Sequence, residues 1–473
     1  MAKFSNFIHA NVAGTLDGLF RERVRQTPDA IAYRHYDRKQ EAWLDLTWTQ
    51  MADEVSRWQQ ALAQEALQEG DRVAILMRNC PSWVAFEQAA LGLGLAVVPL
   101  YTDDRPDNTA YILNDSGSKL LLMEDEKQWE TLAVHKDEMP TLQRFVIHHS
   151  KHIEPQPLDE RVVTAETWLP KIPALLHERG GDPHKLASIV YTSGTTGRPK
   201  GVMLSHYNIL SISQASIEAL LEDDSQHTML SFLPLSHTFE RTCGYYVAMM
   251  CNITVAYARS IQQLAEDLQT IQPTILISVP RIFERVYERI HTQLKKQSLI
   301  HRMLFRLAIS VGWRRFEANQ GRRHRTPLLL LWPLLNRLVA SKVQAKLGGK
   351  LYLAVSGGAA LAPPVARTFI GLGLNVIQGY GMTESSPVLS ANRLSENQPS
   401  SVGKALPGVE LRIGKNEELL ARSPGVMMGY WNNHRATSET ITSDGWLRTG
   451  DKVIIKDDFV YITGRIKDIL VMS

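Results

Sequence analysis

The stretch "ASIVYTSGTTGRPKG", residues 187–201, decides how this chain is read. Its first six residues form an apolar, β-branched run of strand length. From the last of these onward come four hydroxyl residues (Thr192, Ser193, Thr195, Thr196), with three glycines (Gly194, Gly197, Gly201) and Lys200. Glycine lets backbone N–H groups come close to an anion, hydroxyls donate to phosphate oxygens, and the ammonium adds a point charge. The combination suits a polyphosphate. A P-loop needs G-x-x-x-x-G-K-[ST] opening a helix, whereas here the spacing differs and Pro199 precedes the lysine. A distinct kind of phosphate loop is therefore expected, with an ordinary Gly/Ser/Thr surface turn as the alternative.

Similar buried-strand runs lie on both sides of this segment: "RVAILM" (72–77), "AVVPLY" (96–101), "KLLLME" (119–124), "TILISV" (274–279), "LYLAVSG" (351–357) and "LNVIQGYG" (374–381). Amphipathic helical patterns separate them, which is the rhythm of parallel sheets covered on both faces. Glycines sit just past the last two runs, where open α/β sheets place their ligands. Residues 280–347 read as mostly helical. Ser278 is a candidate N-cap there, Pro280 lies in the first turn, and apolar residues recur at 282, 283, 286, 290 and 294. After residue 400 the pattern changes to short alternating runs, "VELRIG", "ELLARS", "KVIIK" and "FVYITG", which predict a small β-rich subdomain.

With 473 residues, 44% hydrophobic and 21% charged, the composition is that of a globular protein. Three cysteines at 80, 243 and 251 match neither a zinc spacing nor a disulfide framework and point to a reducing compartment. No secretory leader pattern opens the chain, and no run is long enough to read as a membrane span. A cytoplasmic protein is expected, with the inner face of the membrane as a place it could visit. Net charge is only +3, but residues 281–350 hold sixteen Lys or Arg against Glu284, Glu288 and Glu317. That +13 segment calls for an anionic neighbour, within the protein or outside it. Nothing in the pattern indicates nucleic acid.

The loop at 191–201, followed by "LPLSHTFER" (233–241), "QGYGMTES" (378–385), "GWLRTGD" (445–451) and "GRIKD" (464–468), resembles the acyl-adenylate-forming superfamily of acyl-CoA synthetases, luciferases and peptide-synthetase adenylation domains. The resemblance implies an α/β fold of two doubly wound, mostly parallel sheets covered by helices, plus a distorted-barrel β subdomain. It implies a large N-terminal domain over 1–464, with sheets to about 395, a basic helical insertion at about 280–347 and the β-rich part at about 400–464. It also implies chemistry: a carboxylate attacks the α-phosphate of ATP, releasing pyrophosphate, and a thiol such as coenzyme A captures the acyl-AMP. ATP, Mg2+ and coenzyme A are the implied cofactors and co-substrate.

The same resemblance assigns residues. Lys200, Ser193, Gly194, Thr195, Thr196 and Gly197 would hold phosphates. Glu384 and Thr192 would bind Mg2+, a hard cation that takes oxygen donors. Thr383 would donate to the α-phosphate. Tyr380, in the run Gln378, Gly379, Tyr380, Gly381 and Met382, offers its ring to adenine. The backbone at Gly358 and Ala359 in "SGGAAL" would lie along adenine's other face. Asp451 would accept from both ribose hydroxyls, Arg465 would make a second ribose contact, and Lys467 would sit near the nucleotide. His237 would orient or gate the carboxylate, which is already ionised at neutral pH. Read alone, an Asp and an Arg at strand ends are surface charges, a lone His is packing, and Glu240 and Arg241 pair with each other.

The long insertion resembles the long-chain fatty acyl-CoA synthetase branch, and the continuation "CGYYVAMMC" after "SHTFERT" is too apolar to receive a substrate ammonium. Competing readings are a fatty acyl-AMP ligase serving a carrier protein and a non-catalytic acyl or nucleotide module. "GRRHRTPLLLLWPLL" suggests peripheral contact with an anionic membrane; the other reading is a buried core helix over 328–335 interrupted by Pro333. In the family "GRIKD" is a hinge with Asp468 at the pivot. The expectation is therefore a form with residues 465–473 as hinge, lacking the mobile C-terminal domain and impaired in catalysis.

Overall fold

The computed structural model describes residues 6–150, 159–177, 180–192, 197–221 and 225–466. Each apolar run seen in the sequence is a central strand, and alternation explains why the runs are apolar throughout. Val73, Ile75, Val97, Leu120, Leu122 and Val190 point into one core. Their neighbours Ala74, Leu76, Val98, Leu121, Met123 and Ile189 point into another. A strand covered on both faces has no solvent side to make polar.

Among the described residues there are two large sheets and one small one. The eight-stranded sheet runs, from one edge, Gly429–Tyr430, Lys200–Ser205, Leu186–Thr192, Ala96–Pro99, Arg72–Leu76, Ser118–Asp125, Arg144–His149 and Val162–Thr164. The nine-stranded sheet centres on Leu353–Ser356, Ile275–Ser278, Thr228–Ser231 and Thr254–Tyr257, all parallel. Val376–Gly381 continues it in parallel, and Val388–Ala391 and Lys404–Ala405 add antiparallel strands at that edge. The small sheet is antiparallel: Glu410–Ile413, Glu418–Arg422, Leu447–Lys456 and Phe459–Arg465. That sheet is the β-rich part expected after residue 400, and two short strands of the same segment, Lys404–Ala405 and Gly429–Tyr430, also join the large sheets.

Helices cover the outer faces of both large sheets, and one helical layer is shared between them. It contains Leu16–Gln26, Trp48–Gln64, Pro81–Gly92, His206–Leu220 and the π-helical turn Glu240–Tyr246. Sharing explains the composition of Pro81–Gly92, in which every residue from Trp83 onward is buried. At the centre of this layer lies a charge pair. The Arg241 guanidinium binds the Glu87 carboxylate, donates to Ser188 Oγ at 2.7 Å and packs 5.7 Å from the Trp83 ring centroid. The two charged side chains are 2% and 0% exposed. Arg241 therefore pairs across the layer with Glu87 and not with its neighbour Glu240, a pairing that the sequence had left open.

Two expectations change. Ser278 is the last residue of its strand, with its hydroxyl 3.4 Å from the Val279 carbonyl, and the helix Pro280–Lys295 has no side-chain cap. Its proline needs none at the first position, where the missing N–H is an orphan anyway. Residues 328–335 are not a buried core helix. They form a 3-10 turn, Pro327–Leu331, leading into Trp332–Leu335, with Pro333 in the first turn and Leu335 alone fully buried. No helix among the described residues is long and apolar enough to cross a membrane.

Removing one partner of a buried ion pair strands the other charge. Arg241→Leu or Glu87→Leu alone should lower the free energy of unfolding by about 3–5 kcal/mol. The double change, Glu87→Leu with Arg241→Met, should recover most of it, read from urea midpoints of the three variants.

Candidate functional site

The phosphate-loop candidate is the connection of a β-hairpin. Leu186–Thr192 and Lys200–Ser205 pair antiparallel, with Thr192 opposite Lys200 and Tyr191 opposite Gly201. The two strands thus bring the Thr192 hydroxyl and the Lys200 ammonium to the same end of the sheet. Ser193, Gly194, Thr195 and Thr196 lie outside the described residues. Gly197 has open space where a Cβ would be, whereas a Cβ on Gly201 would sit 2.6 Å from Ile189 Cγ2 and 3.2 Å from Trp431 Cβ. Gly201 is therefore required by packing between strands rather than by approach to an anion.

Lys200 is oriented by a residue outside every sequence motif. The strand Gly429–Tyr430 pairs with Lys200–Ser205, placing Tyr430 opposite Val202. Its ring lies under the Lys200 ammonium, 5.0 Å from Nζ to centroid, and its hydroxyl donates to Glu384 Oε1 at 2.7 Å. One aromatic side chain therefore links the lysine of one motif to the carboxylate of another 184 positions away. Nothing in the local pattern "GYW" signals this. Glu384 itself is 8% exposed, and its backbone carbonyl accepts from Met427 N–H at 2.9 Å, so the 425–430 segment wraps the turn that carries it.

Glu384 belongs to the turn Thr383–Ser385 that follows the strand Val376–Gly381. A Cβ on Gly381 would stand 1.8 Å from the Pro387 carbonyl oxygen, so only glycine fits where the strand folds back. Thr383 Oγ1 lies 3.5 Å from Thr238 Oγ1, and Thr242 Oγ1 donates to the Ser386 carbonyl at 3.0 Å. The Thr383–Glu384 turn and the His237 loop are thereby held together. Met382 N–H donates to Ser385 Oγ at 3.2 Å, and Gly379 pairs in register with Ala391. The Gln378 amide is committed within the fold: Oε1 accepts from Leu361 N–H at 2.8 Å and Nε2 donates to the Pro399 carbonyl at 2.6 Å. That first bond ties the strand to "SGGAAL", where Gly358 adopts φ +79° and Ala359 is exposed at the strand end. Gly357 is obligatory for another reason, since a Cβ there would meet the Phe239 ring at 2.7 Å.

His237 is exposed, but the protein crowding it lowers its pKa below 6.5 through lost solvation. Phe239 N–H donates to its Nδ1 at 3.1 Å, which assigns the neutral ring's proton to Nε2. The loop carrying it is clamped by a second residue missed in sequence. Asn79, just past the strand Arg72–Leu76 of the other sheet, accepts from Leu235 N–H at 2.9 Å. It also donates to the Leu233 carbonyl at 2.7 Å and Ser231 Oγ at 3.0 Å. Asn79 therefore stitches together strand ends of the two large sheets.

Asp451 and Arg465 face each other across the small sheet, with Arg465 Nε 3.1 Å from Oδ1. Tyr380 donates its hydroxyl to Oδ2 at 2.5 Å. Burial, reinforced by that carboxylate, pushes the Tyr380 pKa upward, so the phenol keeps its proton. Each Asp451 oxygen retains a lone pair for a further donor. Lys467 lies outside the described residues. Next to the His237 loop, Glu240 is 1% exposed and its Oε2 takes no hydrogen bond among the described residues. Burial raises its pKa to about 8 against an opposing hydrogen bond from Ser231. Burial thus favours its protonated form.

Oxygen donors from Glu384 and Thr192 fit a Mg2+ ion, which binds few protein ligands alongside phosphates and water. Tyr430 occupies one Glu384 oxygen and leaves the other without a donor among the described residues.

Comparison with known proteins matches residues 20–431 to the AMP-binding enzyme family model. The long-chain-fatty-acid–CoA ligase FadD15 of Mycobacterium bovis is 32% identical over 100% of this chain and 77% of its own length. The chain superimposes on the anthranilate CoA ligase AuaEII in complex with anthranoyl-AMP with TM-score 0.75 at 20% identity, covering 99% of this chain and 79% of that one. It also matches the inhibitor-bound N-terminal domain of FACL13 from Mycobacterium tuberculosis with TM-score 0.69 at 20% identity, covering 96% and 100%.

An acid whose folded-state pKa lies above its unfolded value binds its proton more tightly when folded. Stability should therefore fall as pH rises from about 4.5 to about 8 and level off above that. Glu240→Gln should remove this slope, read as the difference in thermal midpoints between the two proteins across that window.

Proposed function

We propose that this chain, which belongs to the AMP-binding enzyme family, activates long-chain fatty acids with ATP to acyl-AMP and passes the acyl group to coenzyme A. The observation that carries the reading is the contact of the Thr383–Glu384 turn with the His237–Thr238 loop. That contact supports the reading, because the candidate phosphate-handling residues then lie beside the loop that would face the carboxylate. In the reaction a carboxylate oxygen forms a bond to the α-phosphorus while the bond from that phosphorus to the pyrophosphate oxygen breaks. The coenzyme A thiol then attacks the acyl carbon and AMP leaves.

Two anions must meet, so charge has to be neutralised and the reacting oxygens held in line. Lys200, steadied on the Tyr430 ring, would supply a fixed positive charge to the phosphates, and Thr383 a donor. Glu384, with Thr192, would hold Mg2+, which would supply positive charge to offset that of the phosphates. Asp451 would accept from the ribose hydroxyls, with Tyr380 holding the carboxylate in place and the tyrosine ring close to the base. Neutral His237 can donate from Nε2 to a carboxylate oxygen without having to lose or gain a proton.

The acyl assignment rests on the wall after His237. The turn Glu240–Tyr246 and the helix Val247–Met250 are buried throughout. The Arg241 charge there is neutralised by Glu87, and burial raises the pKa of Glu240. Apart from Arg241 and from Glu240, whose burial disfavours a charge, the wall is lined by uncharged residues, which favours a fatty chain over an amino acid. The 32% identity to FadD15 supports the same choice.

Exchange of labelled pyrophosphate into ATP should depend on fatty acids of long chain and not on amino acids; exchange with amino acids alone would overturn the assignment. Offering coenzyme A and an acyl carrier protein separately identifies the acceptor. Lys200→Ala should slow exchange on the order of 100-fold, the usual loss for one charge-stabilising donor. Tyr430→Phe keeps the ring under Lys200 but frees Glu384. It should raise the Mg2+ concentration for half-maximal exchange about tenfold, from a lost hydrogen bond to a charged group, with little change in KM for the fatty acid.

A further inference from the structure

We infer that the basic helical insertion is a docking surface for an anionic lipid bilayer. Eight of the eighteen large hydrophobic side chains that stand exposed on the described chain fall between residues 299 and 338. They form two ridges. On the helix Leu299–Asn319 they are Leu299, Met303 and Leu307, one helical turn apart, with Ile300 beside them, 38–69% exposed. On the segment 330–338 they are Leu330, Leu334 and Leu338 at the same spacing, with Leu331, 42–82% exposed.

The two elements pack antiparallel. Phe305 clusters with Ala340, Ala308 and Val311 cluster with Leu335, and Gly312 lies so close to Trp332 that a Cβ would reach its ring at 2.6 Å. These contacts bracket Leu307 and Leu338 at one level, where the two ridges meet. Their inner faces are already used for packing on each other, so the exposed leucines are surplus to the fold. A contiguous exposed apolar surface of this kind marks an interaction site.

The charge around it selects the partner. Residues 289–350 carry fourteen Lys or Arg and one acid, Glu317. Among the described residues, only Arg281 and Arg322 of the whole basic insertion form ion pairs. Arg306 and Arg337 are exposed next to Leu307 and Leu338, and Arg323 and Arg325 lie in the connection between the two ridges. Apolar ridges flanked by unpaired cations match a bilayer with anionic headgroups, whose surface takes leucines into the acyl boundary and cations at the phosphate level. Nucleic acid would use the charge and leave the leucines in water. The insertion leaves the nine-stranded sheet after Ser278 and re-enters it at Leu353, two strands that end beside Gly357 and Gly358. Docking would hold the candidate acyl site near a surface into which fatty acids partition.

The test is cosedimentation of the chain with vesicles of phosphatidylcholine alone and with about 30% phosphatidylglycerol. Binding should require the anionic lipid and fall about tenfold on raising salt from about 0.05 to 0.5 M. Arg323→Glu with Arg325→Glu should lower it about tenfold at low salt. Leu330→Ser with Leu334→Ser should abolish the part that survives high salt. Unchanged thermal midpoints and pyrophosphate exchange without vesicles would show that both variants fold. Equal binding to neutral vesicles, binding by both variants equal to the parent, or no binding at low salt would overturn the inference. So would a dimer of the parent chain in sedimentation velocity that the leucine changes dissolve, since the ridges would then be a protein interface.

Discussion

The buried pair of Arg241 and Glu87 is the constraint on which the rest of the structure hangs. Burying two charges is unfavourable unless geometry and added hydrogen bonds offset the lost hydration. Here the guanidinium is held from two sides: the helix Pro81–Gly92 supplies the Glu87 carboxylate and the Trp83 face, and a strand of the eight-stranded sheet supplies Ser188. Meeting both demands ties that helix to that strand through Arg241. Arg241 sits in the π-helical turn that begins at Glu240, so fixing Arg241 also fixes the start of that turn and the His237 loop before it. Ser188 belongs to the strand that ends at Thr192. One buried cation thus ties the candidate carboxylate loop and the candidate phosphate hairpin to the same layer.

The site is built at edges where the three sheets meet. Tyr430 reaches Lys200 because a two-residue strand from the post-400 region joins the eight-stranded sheet. Asp451 reaches Tyr380 because the small sheet packs against the end of the nine-stranded one. Asn79 spans the two large sheets to hold the loop before His237. In each case a short polar contact connects elements whose own stability comes from apolar cores elsewhere. The site can therefore hold neutralising groups and a buried acid at close quarters without depending on them for folding.

The basic insertion follows a different rule. Its inner faces complete small clusters around Phe305, Ala308 and Leu335, while its outer faces keep leucines and unpaired cations in solvent. A segment that needed only to fold would not retain both. Sequence alone left two readings of 328–335 open because apolar residues look alike whether they face a core or a bilayer. Only the fold showed that Leu335 alone is fully buried within Trp332–Leu335 while Leu330 is 82% exposed.

What the sequence determined by itself was everything carried by local pattern: the strands, whose doubly covered faces demand unbroken apolar runs, the α/β class, the small antiparallel sheet, and the ordered motifs around Lys200, His237, Glu384 and Asp451. Their signals are short-range, in side-chain period and glycine placement, so a linear reading recovers them. The tertiary structure alone decided the partners. Arg241 chose Glu87, 154 residues away, over adjacent Glu240, because side chains next to each other on a helical turn point in different directions. Ser278 served as a strand end instead of a cap, and Gly201 was required by strand packing. Tyr430 and Asn79 entered the site through pairings 46 to 230 positions apart. Long-range contacts of this kind leave no periodic trace, because they are set by how sheets and helices pack and not by the residues that flank them.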